Sequence, residues 1–272
     1  MSGRFFIVFA IVFILATPAR AEPTLEGKAM QGGLMIGNAD GASQVFLDGK
    51  AVPVAADGTF LIGFGRNAKP TAEVKAVYDG GREKVIALTV AQRDYKIQRI
   101  DGLPKKQVTP DPETLKRIKA ENGLIGRVRR GLARETWFRS GFQWPVKGPV
   151  SGVYGSQRIL NGKPRSPHNG TDVAAPTGTP IVAPADGVVR LVHDDMFYTG
   201  QTVMLDHGLG LTSVYAHMSA ILVADGAFVK QGTPIGKIGK TGRVTGAHLH
   251  WGVTWGTTHL DPMLLTGPMP KN

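Results

Sequence analysis

The 272-residue sequence contains no cysteine. That absence removes disulfide frameworks, thiol nucleophiles, iron–sulfur clusters and Cys-type structural zinc sites together, and it leaves His, Asp and Glu as the side chains able to hold a metal. Acidic residues are also scarce, 21 against 32 Lys and Arg, which gives a formal charge of +11. Such an excess raises the expectation of an anionic partner, whether nucleic acid, membrane surface or an acidic envelope polymer. Charged residues make up only 19% of the chain and hydrophobic ones 42%, so it can build a core and is not a disordered polymer. The longest apolar run, Phe5 to Ala16, has 12 residues, short of the roughly 20 that span a bilayer. The sequence has no His-Glu dipeptide and no Gly-x-Gly-x-x-Gly, which excludes an HExxH zinc helix and a dinucleotide fingerprint. Gly239-Lys240-Thr241 imitates the end of a phosphate loop, but Pro234 stands where its first glycine is required.

Residues 1–21 predict a secretory signal. Arg4 precedes the apolar run, Pro18 breaks it, and Ala19-Arg20-Ala21 supplies a small-x-small cleavage site before Glu22. With no cysteine after the run, acylation as a lipoprotein is chemically excluded. The expected product is exported, periplasmic or secreted and cell-wall associated, with no stable membrane insertion once the signal is removed.

The charge is unevenly placed. Residues 22–103 are net 0, residues 104–147 net +7 and residues 148–272 net +2, so the excess belongs to the middle of the chain. Residues 22–103 read as a small immunoglobulin-like β-sandwich, with strands around Asp48-Gly49, after Asp57-Gly58, and on either side of Asp79-Gly80-Gly81. Residues 104–143 form a basic connector. Within it Asp111 caps a helix with Pro112 at its first position, and Leu115, Ile118, Ile125, Val128 and Leu132 recur at helical spacing to about 134. From 144 to 267 short apolar segments separated by Gly, Pro and Asp predict a second, antiparallel β-barrel or sandwich, followed by a tail at 268–272. The fold class is therefore mainly β.

All seven histidines, His168, His193, His207, His217, His248, His250 and His259, lie in this C-terminal half. His248 and His250 are two apart on a predicted strand and project to one side, about 7 Å apart. A turn at Asn169-Gly170 brings His168 toward Asp172, because Pro167 and Pro176 disfavour a helix there. Two His and one Asp make three ligands, the number a catalytic zinc site uses while its fourth position serves water or substrate. Such an ion lowers the pKa of bound water to about 7 and polarises a carbonyl, so an amide can be attacked without a Ser or Cys nucleophile. The proton acceptor is then His217, in Tyr215-Ala-His-Met-Ser219, or whichever of His248 and His250 is not a ligand. His193, His207 and His259 read as ordinary turn or loop residues.

The run His168-Asn-Gly-Thr-Asp172-Val-Ala-Ala-Pro-Thr-Gly-Thr-Pro180, then Tyr215-Ala-His-Met-Ser219, then Gly242-Arg-Val-Thr-Gly-Ala-His-Leu-His250, resembles the lysostaphin/LytM-type zinc endopeptidases of bacterial peptidoglycan. The resemblance covers about residues 144–265. It implies one zinc ion on His168, Asp172 and His250, with His217 and His248 in proton transfer and transition-state stabilisation. It also implies a small antiparallel β core with the zinc in a groove, and peptidoglycan rather than nucleic acid as the partner. Ala247 stands where the family usually has proline. Asn161 to Pro167 lacks the tyrosine some members carry, which leaves Arg158, Arg165 or backbone amides to stabilise the oxyanion. The alternative is an inactive LytM-like regulator that binds and activates a wall amidase. A hydrolase that can damage its own cell also motivates the expectation that the helix or the N-terminal domain covers the groove until displaced.

Overall fold

The computed structural model describes residues 22–100, 111–131 and 133–270. The signal expected at 1–21, the boundary expected at 103–104 and Leu132 lie outside the described residues.

Short alternating segments with glycine turns make the first unit: β1 (Thr24–Gly27), β2 (Leu34–Asn38), β3 (Ala42–Leu47), β4 (Lys50–Val52), β5 (Thr59–Gly63), β6 (Thr71–Tyr78) and β7 (Glu83–Thr89). Asp48 and Gly49 join β3 to β4 with φ of 48° and 75°, the paired positive values that a two-residue hairpin turn demands. The strands form an antiparallel sheet β1-β2-β5 and a second, β4-β3-β6-β7. Between them Met35, Phe60 and Ile62 meet Val45, Val52, Val74, Ala76 and Tyr78 in one core. All five residues of β5 are buried, because this strand lies between two cores. Phe60 and Ile62 face the first, while Leu61 enters the core of the C-terminal half.

Next come β8 (Ile97–Ile100) and the helix α1 (Pro112–Arg130). Asp111 accepts a 2.9 Å hydrogen bond from the Thr114 amide, and Pro112 occupies the first helical position. Arg127, Arg129 and Arg130 fill the last turn, where exposed carbonyls favour cations, and Gly131 ends the helix short of the expected 134. Gly123 and Gly126 do not interrupt it. Ile118 and Glu121 are its buried residues, whereas Leu115 is 49% exposed.

The C-terminal half contains β9 (Val150–Gly152), β10 (Gln157–Leu160), β11 (Lys163–Pro164), β12 (Thr171–Ala174), β13 (Pro180–Val182), β14 (Gly187–Met196), β15 (Gly200–Asp206) and β16 (Leu211–Ile221). It continues with β17 (Phe228–Val229), β18 (Pro234–Ile238), β19 (His248–Trp255), β20 (Thr258–Leu260) and the short helix α2 (Met263–Thr266). Ten of these strands form one sheet along the path β17-β14-β15-β16-β19-β12-β9, with β13, β18 and β20 branching from it. The sheet is open, with β17 and β9 at its ends, and does not close into the barrel that was one of the two expected forms. Trp251, Tyr215, Leu249, Val253 and Leu205 fill the core on one face. On the opposite face lie His250 and its cross-strand partner Asp172. β8 pairs in parallel with β10, and β11 completes a small separate sheet beside the loop that carries His168. Among the described residues no helix is long and apolar enough to cross a membrane.

Candidate metal and proton-transfer site

Strand register builds the site. Asp172 on β12 is the cross-strand partner of His250 on β19, so their side chains share a face. His168 enters from the loop before β12, fixed by its own amide to the Ser156 carbonyl at 2.7 Å and by its carbonyl to the Gly155 amide at 2.9 Å. Glycines make the approach possible. A Cβ on Gly170 would lie 2.9 Å from His250 Cε1 and 3.0 Å from the Gly252 Cα, and a Cβ on Gly152 would run into the Asp172 carboxylate.

The donor atoms converge. His250 Nδ1 lies 2.8 Å from Asp172 Oδ1, while His168 Nε2 lies 3.1 Å from that oxygen and 3.1 Å from His250 Nδ1. His168 donates its Nδ1–H to the Val153 carbonyl at 3.1 Å, which leaves the lone pair of the neutral ring on Nε2, aimed at the same point. Lone pairs and a carboxylate facing one another in a cleft repel unless a cation or proton lies between them. Donors about 2.1 Å from a tetrahedral ion sit roughly 3.4 Å apart, so this spacing and the two-imidazole, one-carboxylate chemistry fit zinc. Burial would raise the Asp172 carboxyl, but hydrogen bonds and charge from His168 and His250 outweigh it and hold the group well below the usual carboxylate range.

His217 reaches this face by an irregularity. Gln201 pairs with Met218 and Val203 with Tyr215, so Ala216 and His217 of β16 together oppose the single residue Thr202 of β15. Within this bulge His217 has φ of 66°, a left-handed conformation costing roughly 1–2 kcal/mol for a non-glycine residue. Two carbonyls hold it there, Thr199 accepting from its amide at 2.7 Å and Thr241 from its Nδ1 at 2.9 Å. Burial pushes its imidazole down to about 4. At neutral pH the ring is therefore uncharged, with its free lone pair on Nε2. His248 is likewise pinned through Nδ1 to the Gly246 carbonyl at 2.9 Å, and its ring centroid lies 4.8 Å from that of His217. The rings of His217 and His250 are 6.3 Å apart.

All five residues singled out in the sequence thus gather in one place, and the remaining histidines do not. His207 sits in the turn after β15 but is fully buried in the core. Its Nδ1–H goes to the Asp186 carbonyl at 2.7 Å, Ser213 donates to its Nε2 at 2.8 Å, and Tyr215 donates to Ser213 at 2.7 Å. His193 lies on β14 and His259 on β20, in strands rather than loops. Arg165 is half-buried in the stretch leading into His168, and the side chain of Arg158 lies outside the described residues. Sequence reading missed the backbone carbonyls of Val153, Thr199 and Thr241, because a carbonyl leaves no trace in residue type.

Residues 166–262, which include all five, match the profile of peptidase family M23. A crystal structure from Pseudomonas aeruginosa assigned to peptidase M23 superposes with a TM-score of 0.68 at 30% identity, covering 89% of this chain and 96% of that one. The chain belongs to peptidase family M23. Two M23-region relatives are the peptidoglycan DD-endopeptidase ShyA of Vibrio cholerae, 48% identical over 86 residues, and the DD-carboxypeptidase/endopeptidase Mpg of Neisseria meningitidis, 41% identical over 104 residues. Those matches cover 32% and 38% of this chain but only 20% and 24% of the relatives' own lengths.

Proposed function

We propose that this M23 protein is an exported, zinc-dependent endopeptidase that hydrolyses amide bonds in the peptide stems or cross-links of peptidoglycan. The observation that carries the proposal is the convergence of the His168, Asp172 and His250 donors at 2.8–3.1 Å from one another, with His217 and His248 beside them. The substrate class is supported by relatives named as peptidoglycan DD-endopeptidases.

When bound by His168, Asp172 and His250, a zinc ion supplies Lewis-acid polarisation of a carbonyl and activation of water near neutral pH. The anionic Asp172 provides the charge that holds such a cation, and the Val153 carbonyl keeps His168 in the tautomer that offers Nε2. His217, neutral and fixed through Nδ1, takes a proton at Nε2. The proton that His217 takes is the one returned to the leaving amine, while His248 presents its own Nε2 from the neighbouring side and, when protonated there, donates to the developing charge on the amide oxygen. A regulator that only activates an amidase would have no need of three intact donors.

The test is muropeptide release from purified sacculi. Chelation is expected to abolish release and added zinc to restore it. His250→Ala should lose metal and activity together, and His217→Ala should keep its metal while slowing about 10²–10⁴-fold. Release that ignores chelator would remove zinc from the mechanism.

A further inference from the structure

We propose that Glu121, on α1 and outside the histidine cluster, is a positioning residue for His217, so that the connecting helix is a working part of the site; this rests on the proton-transfer role given to His217. Glu121 is only 8% exposed, which is unusual for a glutamate in a basic helix. Its two oxygens have different partners. Oε1 accepts from Arg117 Nε at 2.7 Å, and Oε2 accepts from the backbone amide of Phe197 at 2.9 Å. Arg117 also reaches the end of β14, where the turn to β15 begins, donating to the Asp195 carbonyl at 2.5 Å and to its carboxylate at 2.9 Å. The helix therefore grips residues 195–197 at both ends.

Two residues farther on, the same turn grips His217. The Thr199 carbonyl accepts the His217 amide at 2.7 Å, and the Tyr198 carbonyl accepts the Arg243 amide at 3.0 Å. Arg243 belongs to the loop whose Thr241 carbonyl accepts from His217 Nδ1, and its guanidinium lies 4.1 Å above the Tyr198 ring. The turn thus joins both loops that hold His217. A residue at φ of 66° inside a strand stays there only while its surroundings fix it. Released from Thr199, His217 relaxes toward ordinary strand geometry, which points its side chain to the opposite face, away from His248 and His250.

The prediction opposes a helix that merely covers the groove. In the full-length, zinc-loaded protein acting on a cross-linked muropeptide, Glu121→Ala is expected to lower kcat about 10- to 100-fold, with KM changed less than about twofold and metal content intact. Glu121→Gln, which keeps an oxygen for the Phe197 amide, is expected to hold kcat within about threefold of wild type. Should the alanine variant fail to fold, Glu121→Asp serves instead, because it keeps the charge for Arg117 but withdraws the oxygen from Phe197; its kcat should fall about tenfold or more. Unchanged kcat in the alanine or aspartate variant, or a faster enzyme, overturns the inference while leaving the zinc site standing. A wild-type protein that releases no peptide overturns the parent reading, and this inference with it.

Discussion

His207 and His217 are both pushed down to about 4 by burial, yet one is sealed in the core and the other faces the site. For His207 the consequence is stability. The unfolded chain binds a proton near pH 6.5 and the folded chain near 4, so between those values the unfolded state holds more protons. The contribution is complete above pH 6.5 and is lost as pH falls through 4, on the order of 3 kcal/mol in all. Denaturant midpoints of wild type and His207→Asn, compared at pH 7.5 and 5, should show the wild type losing more of its stability. Equal losses would mean that His207 is protonated in the folded chain. His217 and His259 are depressed in the same direction, which is why the difference between the two proteins, not the wild-type slope, isolates His207. His168, Asp172, His217, His248 and His250 are legible as candidates by type and spacing, but which of His248 and His250 would hold a metal comes only from the family resemblance. Glu121 is not legible, since a glutamate in a helix with six basic residues reads as solvated charge.

At the scale of elements, the alternation of His248, Leu249 and His250 was enough to place two histidines on one side of a strand, and β19 does so. The bulge at Ala216–His217 could not be read that way. Regular alternation from Tyr215 would have put His217 in the core with Trp251, and only pairing with β15 reveals the extra residue. The strands β9 to β12 leave no clear local signal in the sequence. They are two to four residues long and interrupted by Gly and Pro, so their pairing comes from distant partners rather than local propensity. The β9–β12 crossing carries a sharp requirement, because Gly152 lies against the Asp172 carboxylate. Gly152→Ala should displace that carboxylate and weaken zinc binding about 10- to 100-fold. A competition titration against a chromogenic chelator measures it, and wild-type affinity in the variant would show that Asp172 is not a ligand.

For the whole molecule, composition suggested two nearly neutral β units joined by a basic connector, and the units are more tightly integrated than that. Leu61 of β5 is fully buried in the C-terminal core, Arg93 pairs with Asp261 at 2.9 Å, and Arg66 donates to the Gly155 carbonyl at 2.7 Å. Calorimetry of the intact chain should therefore show a single unfolding transition. Two well-separated transitions would mean that this interface does not couple the halves. The helix belongs to the same integration, tied by Arg117 and Glu121 to the turn that holds His217. The central claim, that His168, Asp172 and His250 make a zinc endopeptidase of the wall, is met most directly by a mass spectrum of cross-linked sacculi digested with the zinc-loaded protein. The predicted result is loss of cross-linked species, with new free amines and carboxylates at stem or cross-link amides. Stems detached whole from the glycan, or no new peptide ends, would contradict it.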